Sequence, residues 1–328
     1  QKQNKIKKEN KLFEINNREK KLSQSPLNYT GGKFKLLEQL QPLFNEKEVF
    51  LDLFAGGGNV GINSSSSKVI FNDSNEKLID LIKFIKDTDT DVLLKQIDNI
   101  IDEYDLSNTS LYGYSYYDCD SSSGLAKFNK ERFLRLREDF NSKILAGEID
   151  YLKLYVLMVY SFNNQIRFNR KGFFNLPVGK RDFNSKMRSK LVLFSEALKN
   201  KDVQFIKKDF REIVLDDFSK ETFVYCDPPY LITNATYNEN GMWSDVEEKA
   251  LLEFLDKVNE KGFLFALSNV LESKNKRNDI LYNWIESKGY YCNSLNKSYS
   301  NSNYHRKNKN SISEEVLITN YPLNWRNK

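Results

Sequence analysis

Residues 223–230 read Phe-Val-Tyr-Cys-Asp-Pro-Pro-Tyr, and no other octet of this chain restricts its course as tightly. An apolar, β-favouring run (Phe223, Val224, Tyr225, Cys226) predicts a strand that delivers one carboxylate, Asp227, at its end. Pro228 and Pro229 then remove two backbone donors and fix φ, so the chain leaves the strand in one rigid shape. The Pro228 carbonyl keeps little freedom, and Tyr230 places an aromatic face directly after it. Two acceptors beside an aromatic platform suit a planar ring bearing an amino group, such as an unstacked nucleobase. Read alone, Asp-Pro-Pro-Tyr has the alternative of a plain turn after a strand, which is the weaker of the two readings.

Around this octet, strands and helices alternate. Residues 48–54 read as a buried strand followed by a glycine loop, and residues 68–73 as a second strand ending on Asp73. Residues 33–44 and 75–86 have helical spacing, as do 185–198, 246–259 and 277–287. Further strands are expected at 203–206, 262–268, 290–297 and 314–320. This order predicts an α/β fold with a doubly wound, mostly parallel, Rossmann-like sheet. Residues 88–190 have a different character, with helical pattern at 90–104, 128–142 and 150–162 and a Ser/Tyr/Asp-rich loop at 107–124. A β-hairpin turning near residues 170–172 follows. This middle block reads as an insertion into the α/β frame.

The 328 residues suffice for one large or two ordinary domains, and 40% hydrophobic content supports a core. No apolar run reaches the ~20 residues of a membrane span, which points to a protein without membrane attachment. The lysine-rich start lacks an apolar segment and so does not read as a secretory signal. Cys119, Cys226 and Cys292 are far apart and His305 is the only histidine. That pattern fits a reducing cytoplasm and leaves neither a disulfide framework nor a metal set. Residues 1–21 carry eight Lys/Arg against three acids; residues 165–190 carry eight against Asp182 alone. The second cluster, interleaved with aromatics and glycine, points to a polyanion such as nucleic acid. The first is better explained by a solvated, frayed arm over residues 1–24.

The glycine loop supports two readings. Gly56, Gly58 and Gly61 satisfy a dinucleotide pattern, and Asp73 lies where a ribose-binding acid belongs. A nicotinamide or flavin oxidoreductase therefore competes on this region alone. However, Asp52 sits inside the strand just ahead of the loop. A carboxylate there suits a ligand with an ammonium group and would repel a pyrophosphate. Asp-Pro-Pro-Tyr also has no evident hydride-transfer role.

Together these segments resemble the D12 class of DNA adenine-N6 methyltransferases, which includes GATC-type adenine methylases and methylases of restriction systems. The resemblance rests on Asn28-Tyr29-Thr30-Gly31-Gly32-Lys33, the run from Phe50 through Gly58, Asn72-Asp73, Lys208-Asp209-Phe210, and Asp227-Pro228-Pro229-Tyr230. It also rests on the hairpin Arg167-Phe168-Asn169 … Gly172-Phe173-Phe174-Asn175-Leu176-Pro177. These stand in the family's order over roughly residues 25–320. Phe173 replaces a short acidic residue common in the hairpin, and the arm at 1–24 has no clear counterpart.

The resemblance implies S-adenosylmethionine as cofactor, no metal, and transfer to N6 of a flipped adenine in double-stranded DNA. Asp227, Pro228, Pro229 and Tyr230 would be catalytic. Tyr29, Lys33, Asp52, Phe54, Ala55, Gly56, Gly57, Gly58, Asp73, Asp209 and Phe210 would bind cofactor. Arg167, Asn169, Arg170, Lys171, Asn175, Lys180 and Arg181 would meet DNA, with residues 301–307 a second polar-basic stretch. The expected division is an arm (1–24), a catalytic domain (25–86 and 186–328) and a target-recognition domain (87–185). A monomer in the cytoplasm, paired with a restriction endonuclease, fits this reading. Cytosine-N4 transfer uses the same two acceptors, and a DNA-binding regulator without turnover shares the surface.

Overall fold

The computed structural model describes residues 22–28, 32–233, 243–295 and 314–323. Residues 1–21 of the expected arm, Tyr29, and residues 301–307 lie outside the described residues. The first half of the fold comprises β1 (Val49–Asp52), β2 (Lys68–Asn72), α1 (Glu76–Asp87), α2 (Thr90–Glu103), α3 (Ala126–Ile144), α4 (Tyr151–Tyr160) and α5 (Ser185–Lys199). The second comprises β3 (Asp202–Ile206), β4 (Thr222–Cys226), α6 (Asp245–Glu260), β5 (Leu264–Ser273), β6 (Lys276–Arg277), α7 (Asp279–Lys288), β7 (Tyr291–Ser294) and β8 (Glu314–Thr319). Helix starts follow local chemistry. Asn75, Asp89, Asp150, Asn184, Ser244 and Asn278 each accept a first-turn N–H at the start of α1, α2, α4, α5, α6 and α7.

Among the described residues the strands form one mixed sheet in the order β3-β2-β1-β4-β5-β8-β7, with β6 paired to β5. Strands β3 through β5 are parallel, while β8 runs antiparallel to both β5 and β7. β1 and β4 are buried along their whole length, as expected of parallel strands covered on both faces. Alternate residues feed two cores. Phe50, Phe71, Phe223 and Tyr225 pack with α1, α4 and α5, and Leu51, Ile70, Val224 and Leu267 pack with α6 and α7. α2, α3 and α4 share the first of these clusters, so the helices between β2 and β3 lie on a continuous apolar body with the sheet. The chain moves from β1 to β2 on one side and returns to β4 on the other. β1 and β4 therefore flank a topological switch point, and ligands of open α/β sheets bind at the carboxyl ends of such strands.

Three local expectations are corrected. Residues 33–44 do not form one helix. A 3-10 turn (Phe34–Leu36), one α-turn (Leu37–Leu40) and a second 3-10 turn (Gln41–Leu43) share that stretch. Pro42 lacks the N–H that a continuing helix would need. β5 extends well beyond residue 268, because Ser268 and Asn269 are buried and hydrogen-bonded rather than ending the strand. The hairpin is a tight turn with isolated bridges, Phe168 to Phe174 and Ser161 to Val178, rather than two full strands. No helix among the described residues is long and apolar enough to cross a membrane.

Candidate functional site

β1 ends on Asp52, and the chain turns at once over the carboxyl edge. Ala55 N–H donates to the Asn72 carbonyl at 2.8 Å, and Gly56 N–H donates to Asp73 Oδ2 at 3.0 Å. Gly56 and Gly58 have φ of 52° and 86°, a region that costs glycine nothing. A Cβ on Gly57 would lie 2.7 Å from the Leu27 carbonyl oxygen, so the loop admits no side chain there. Asp73 Oδ1 also accepts from Asn75 N–H at 2.9 Å. Burial raises the Asp73 pKa, and these two backbone donors pull it back. Each oxygen has one of these donors, and a carboxylate has about four acceptor sites, so capacity remains.

Asp52 is 1% exposed, and its Oδ2 accepts Gly61 N–H at 3.1 Å. Burial pushes its pKa up to about 8, against the lowering effect of that hydrogen bond, and the charges of Asp227 and Asp73 add to the rise. Asp52 is thus locked to the short helix after the glycine loop. Asn72 fastens the loop to the exit of β3, donating to the Leu53 and Lys208 carbonyls and accepting from Lys208 N–H.

On the opposite side of β1, β4 delivers Asp227. Lys33 Nζ lies 3.2 Å from Asp227 Oδ1, and Tyr230 Oη donates to the same oxygen at 2.8 Å. Lys33 Nζ also sits 4.7 Å from the Tyr230 ring centroid, a cation–π contact. Lys33 is 5% exposed, so it faces the turn rather than solvent. Burial raises the Asp227 pKa, while Lys33 and the Tyr230 hydroxyl draw it down. Burial and the neighbouring Asp227 charge push the Tyr230 hydroxyl well up, which keeps it a donor. Pro228 is buried and Pro229 half-buried.

The remaining expected residues divide into groups. Phe54 packs 5.8 Å from Phe210, and Trp243 meets both rings at 6.0 Å. Asp209 is used locally: it accepts Arg211 N–H and pairs with the Arg211 guanidinium at 2.8 Å, which lowers its pKa. In the hairpin, Arg167 Nε donates to Asn175 Oδ1 at 2.8 Å. Asn169 Oδ1 accepts from Lys171 and Phe173 N–H, both at 3.0 Å, and so shapes its own turn. Arg170, Lys171 and Lys180 are exposed, and Arg181 Nη1 donates to the Ser121 carbonyl at 2.7 Å. The hairpin is carried by α3 through paired hydrogen bonds between Asn141 and Phe174. Asn28 Nδ2 donates to the Asn163 carbonyl at 2.8 Å, joining the N-terminal motif to the hairpin's first residues.

Three residues at this edge escaped the sequence reading. Trp243 Nε1 donates to Glu248 Oε2 at 2.7 Å, and Glu248 Oε1 accepts from Asn269 at 3.2 Å and Asn278 at 3.0 Å. A fully buried carboxylate here ties the chain following the Asp-Pro-Pro-Tyr turn to β5 and to the start of α7. Glu315 of β8 has a buried Oε2 with no hydrogen-bond partner among the described residues, and its charge contributes to raising the pKa of Asp227. A tryptophan ahead of the Ser244 and Glu247 capping box was the one available signal. Nothing in the pattern distinguished Glu248 or Glu315 from surface acids. Among the described residues no cluster of His, Cys, Asp and Glu could hold a metal ion.

A family model for D12 class N6 adenine-specific DNA methyltransferases matches residues 29–309. The chain is 40% identical over 305 residues to the type II methyltransferase M.FokI of Planomicrobium okeanokoites, covering 91% of this chain and 43% of that protein. It is 38% identical over 309 residues to the modification methylase StsI of Streptococcus sanguinis, covering 92% of this chain and 43% of that protein. A DNA adenine methylase of Haemophilus influenzae is 27% identical over 262 residues, covering 76% of this chain and 80% of that protein. The chain thus spans less than half the length of the first two relatives.

Proposed function

The chain belongs to the D12 class of N6 adenine-specific DNA methyltransferases, and we propose that it transfers a methyl group from S-adenosylmethionine to N6 of an adenine flipped out of double-stranded DNA. The observation that carries this reading is Asp227 at the end of β4, engaged by Lys33 and Tyr230. S-adenosylmethionine supplies an electrophilic methyl group when bound. The glycine loop, turning through positive φ at Gly56 and Gly58, fits a ligand lying against its backbone; Asp73 fits ribose hydroxyls, and a positively charged ligand would draw the buried Asp52 carboxyl into its ionised form. Tyr29, Lys33, Phe54, Ala55, Gly56, Gly58, Asp209 and Phe210 complete the proposed cofactor set. Asp209 serves it by shaping the loop that presents Phe210.

The exocyclic nitrogen of adenine is a poor nucleophile, because its lone pair is delocalised into the ring. Asp227 and the Pro228 carbonyl accept its two N–H groups and favour a pyramidal nitrogen, which frees the lone pair. Pro229 keeps that carbonyl in place, and Tyr230 stacks on the base. N6 would gain its bond to the methyl carbon as the methyl–sulfur bond gives way, its electron pair passing to sulfur, and N6 then sheds one proton. The raised pKa of Asp227 suits its carboxylate to receive it. The chain's contribution is positioning and electrostatics.

Under this reading residues 25–86 and 186–328 form the catalytic domain, and 87–185 recognise the target. Arg167, Asn169, Arg170, Lys171, Asn175, Lys180 and Arg181 face DNA, with Asn169 and Asn175 acting mainly by shaping the turn. The names of the relatives, modification methylase and type II methyltransferase, support pairing with a restriction endonuclease. A monomer in the cytoplasm suffices for one strand at a time. The test is transfer of labelled methyl from S-adenosylmethionine to unmethylated DNA, with Asp227→Asn as control. Label carried by the wild type and lost in the variant supports the assignment. Equal label in both overturns the role of Asp227.

A further inference from the structure

The loop between α2 and α3 was conspicuous in the sequence and has no part in the chemistry above. It exposes Tyr112 (53%) and Tyr116 (65%), whose rings stack at 4.7 Å and 22°. Exposed aromatic pairs on a surface loop are costly to keep ordered unless the surrounding structure holds them. Here it does. Lys180, Arg181 and Asp182, which follow directly on the hairpin, clasp the loop at both ends. Asp182 is fully buried and accepts from Ser107 Oγ at 2.9 Å, Thr109 N–H at 2.8 Å and Thr109 Oγ1 at 2.7 Å. Arg181 Nη1 donates to the Ser121 carbonyl at 2.7 Å, and Leu125 N–H donates to the Lys180 carbonyl at 3.0 Å. The seam is tight, since a Cβ on Gly124 would lie 2.6 Å from Lys180 Cβ. Inside the loop, Tyr117 accepts Asn108 N–H at 2.8 Å and packs edge-on against Phe128 at 4.6 Å.

We propose that Tyr112 and Tyr116 form a preorganised aromatic contact for the DNA duplex beside the hairpin. The proposal rests on the methyltransferase reading. DNA is the favoured occupant because the loop is fastened to the chain run that leaves the hairpin. That run carries exposed Lys180, Arg181 and Lys186, and exposed Lys127 and Lys130 follow on α3. A tyrosine ring with a hydroxyl at its tip suits the sugar–phosphate edge, where apolar and polar groups alternate. It places large area at low entropic cost, as rigid aromatic anchors do at interfaces. The loop also carries two exposed acids, Asp118 and Asp120, the second held on Ser122 and Ser123 within the loop; the five basic residues named above outnumber them.

The test compares wild type with Tyr112→Ala/Tyr116→Ala in the full chain. Duplex affinity, KM for DNA, kcat at saturating DNA, S-adenosylmethionine affinity and melting temperature are measured on each. The expected result is about a ten-fold or greater rise in both the DNA Kd and KM. The kcat, cofactor affinity and melting temperature stay at wild-type values. Tyr112→Phe/Tyr116→Phe separates ring from hydroxyl and recovers most of the affinity. A wild type that methylates DNA with unchanged Kd and KM in the alanine variant overturns this contact and leaves the methyltransferase reading standing. A wild type that neither binds nor methylates any DNA overturns both.

Discussion

Lys33 Nζ and Asp227 Oδ1 stand 3.2 Å apart, so an N-terminal glycine-motif lysine is the ion-pair partner of the carboxylate at the end of β4. Lys33 favours the charged form of Asp227, and burial opposes it. Removing the cation as Lys33→Met raises the Asp227 pKa further. Asp227 must be unprotonated to accept from N6. The acid limb of the pH profile of kcat/KM therefore moves to higher pH in the variant, and activity at neutral pH falls. A limb that stays in place would show that the pair does not tune the reaction.

Asp227→Asn keeps the shape of the turn but replaces one acceptor oxygen with a donor. Loss of one preorganised electrostatic contact costs roughly 100- to 1,000-fold in kcat. Affinity for DNA and for S-adenosylmethionine is expected to hold within a few-fold, by equilibrium binding. Parallel loss of binding and turnover would point to a folding role for the residue.

Asp52 gives a pH-dependent term in stability. Its carboxyl titrates near 3.8 in an unperturbed environment and at about 8 in the fold. The folded state holds the proton more tightly. Its contribution is therefore complete below about pH 4 and is lost as pH rises through about 8. Asp52→Asn removes this term while still offering an oxygen to Gly61 N–H. Between about pH 5 and pH 9 the melting temperature of the variant should fall less than that of the wild type. Parallel curves would mean that Asp52 is ionised throughout.

Glu248 accepts from Trp243, Asn269 and Asn278 at a fully buried position. Glu248→Leu leaves those donors without an acceptor and should cost roughly 3 kcal/mol or more in denaturant unfolding. Glu248→Gln, which retains one carbonyl oxygen, should cost less. Because Trp243 supports Phe54 and Phe210, S-adenosylmethionine affinity should weaken in both variants, including at temperatures where each is fully folded. Unchanged affinity would make the triad a purely structural joint.

Much of this fold was legible because backbone rules act locally. Helix starts at Asn75, Asp89 and Asn184 announce themselves through capping side chains, and the apolar run at 223–226 through its β-branched and aromatic content. Pro42 should have warned against one helix over 33–44. Ser268 and Asn269 looked like a strand end because their partners, Tyr225 and Glu248, are distant in sequence. For the same reason no local pattern pairs Lys33 with Asp227 or buries Glu248, whereas Asn169 bonds within its own turn, a role that its residue type and place in the hairpin allow. Motifs place a residue on an edge of the sheet; tertiary packing decides which group it faces.

The most direct test of the central claim is the identity of the methylated base. Unmethylated DNA is incubated with the protein and methyl-labelled S-adenosylmethionine, then digested to nucleosides and separated. The account predicts label in N6-methyladenine alone. Label in N4-methylcytosine, or DNA without label while the cofactor is bound, would contradict it.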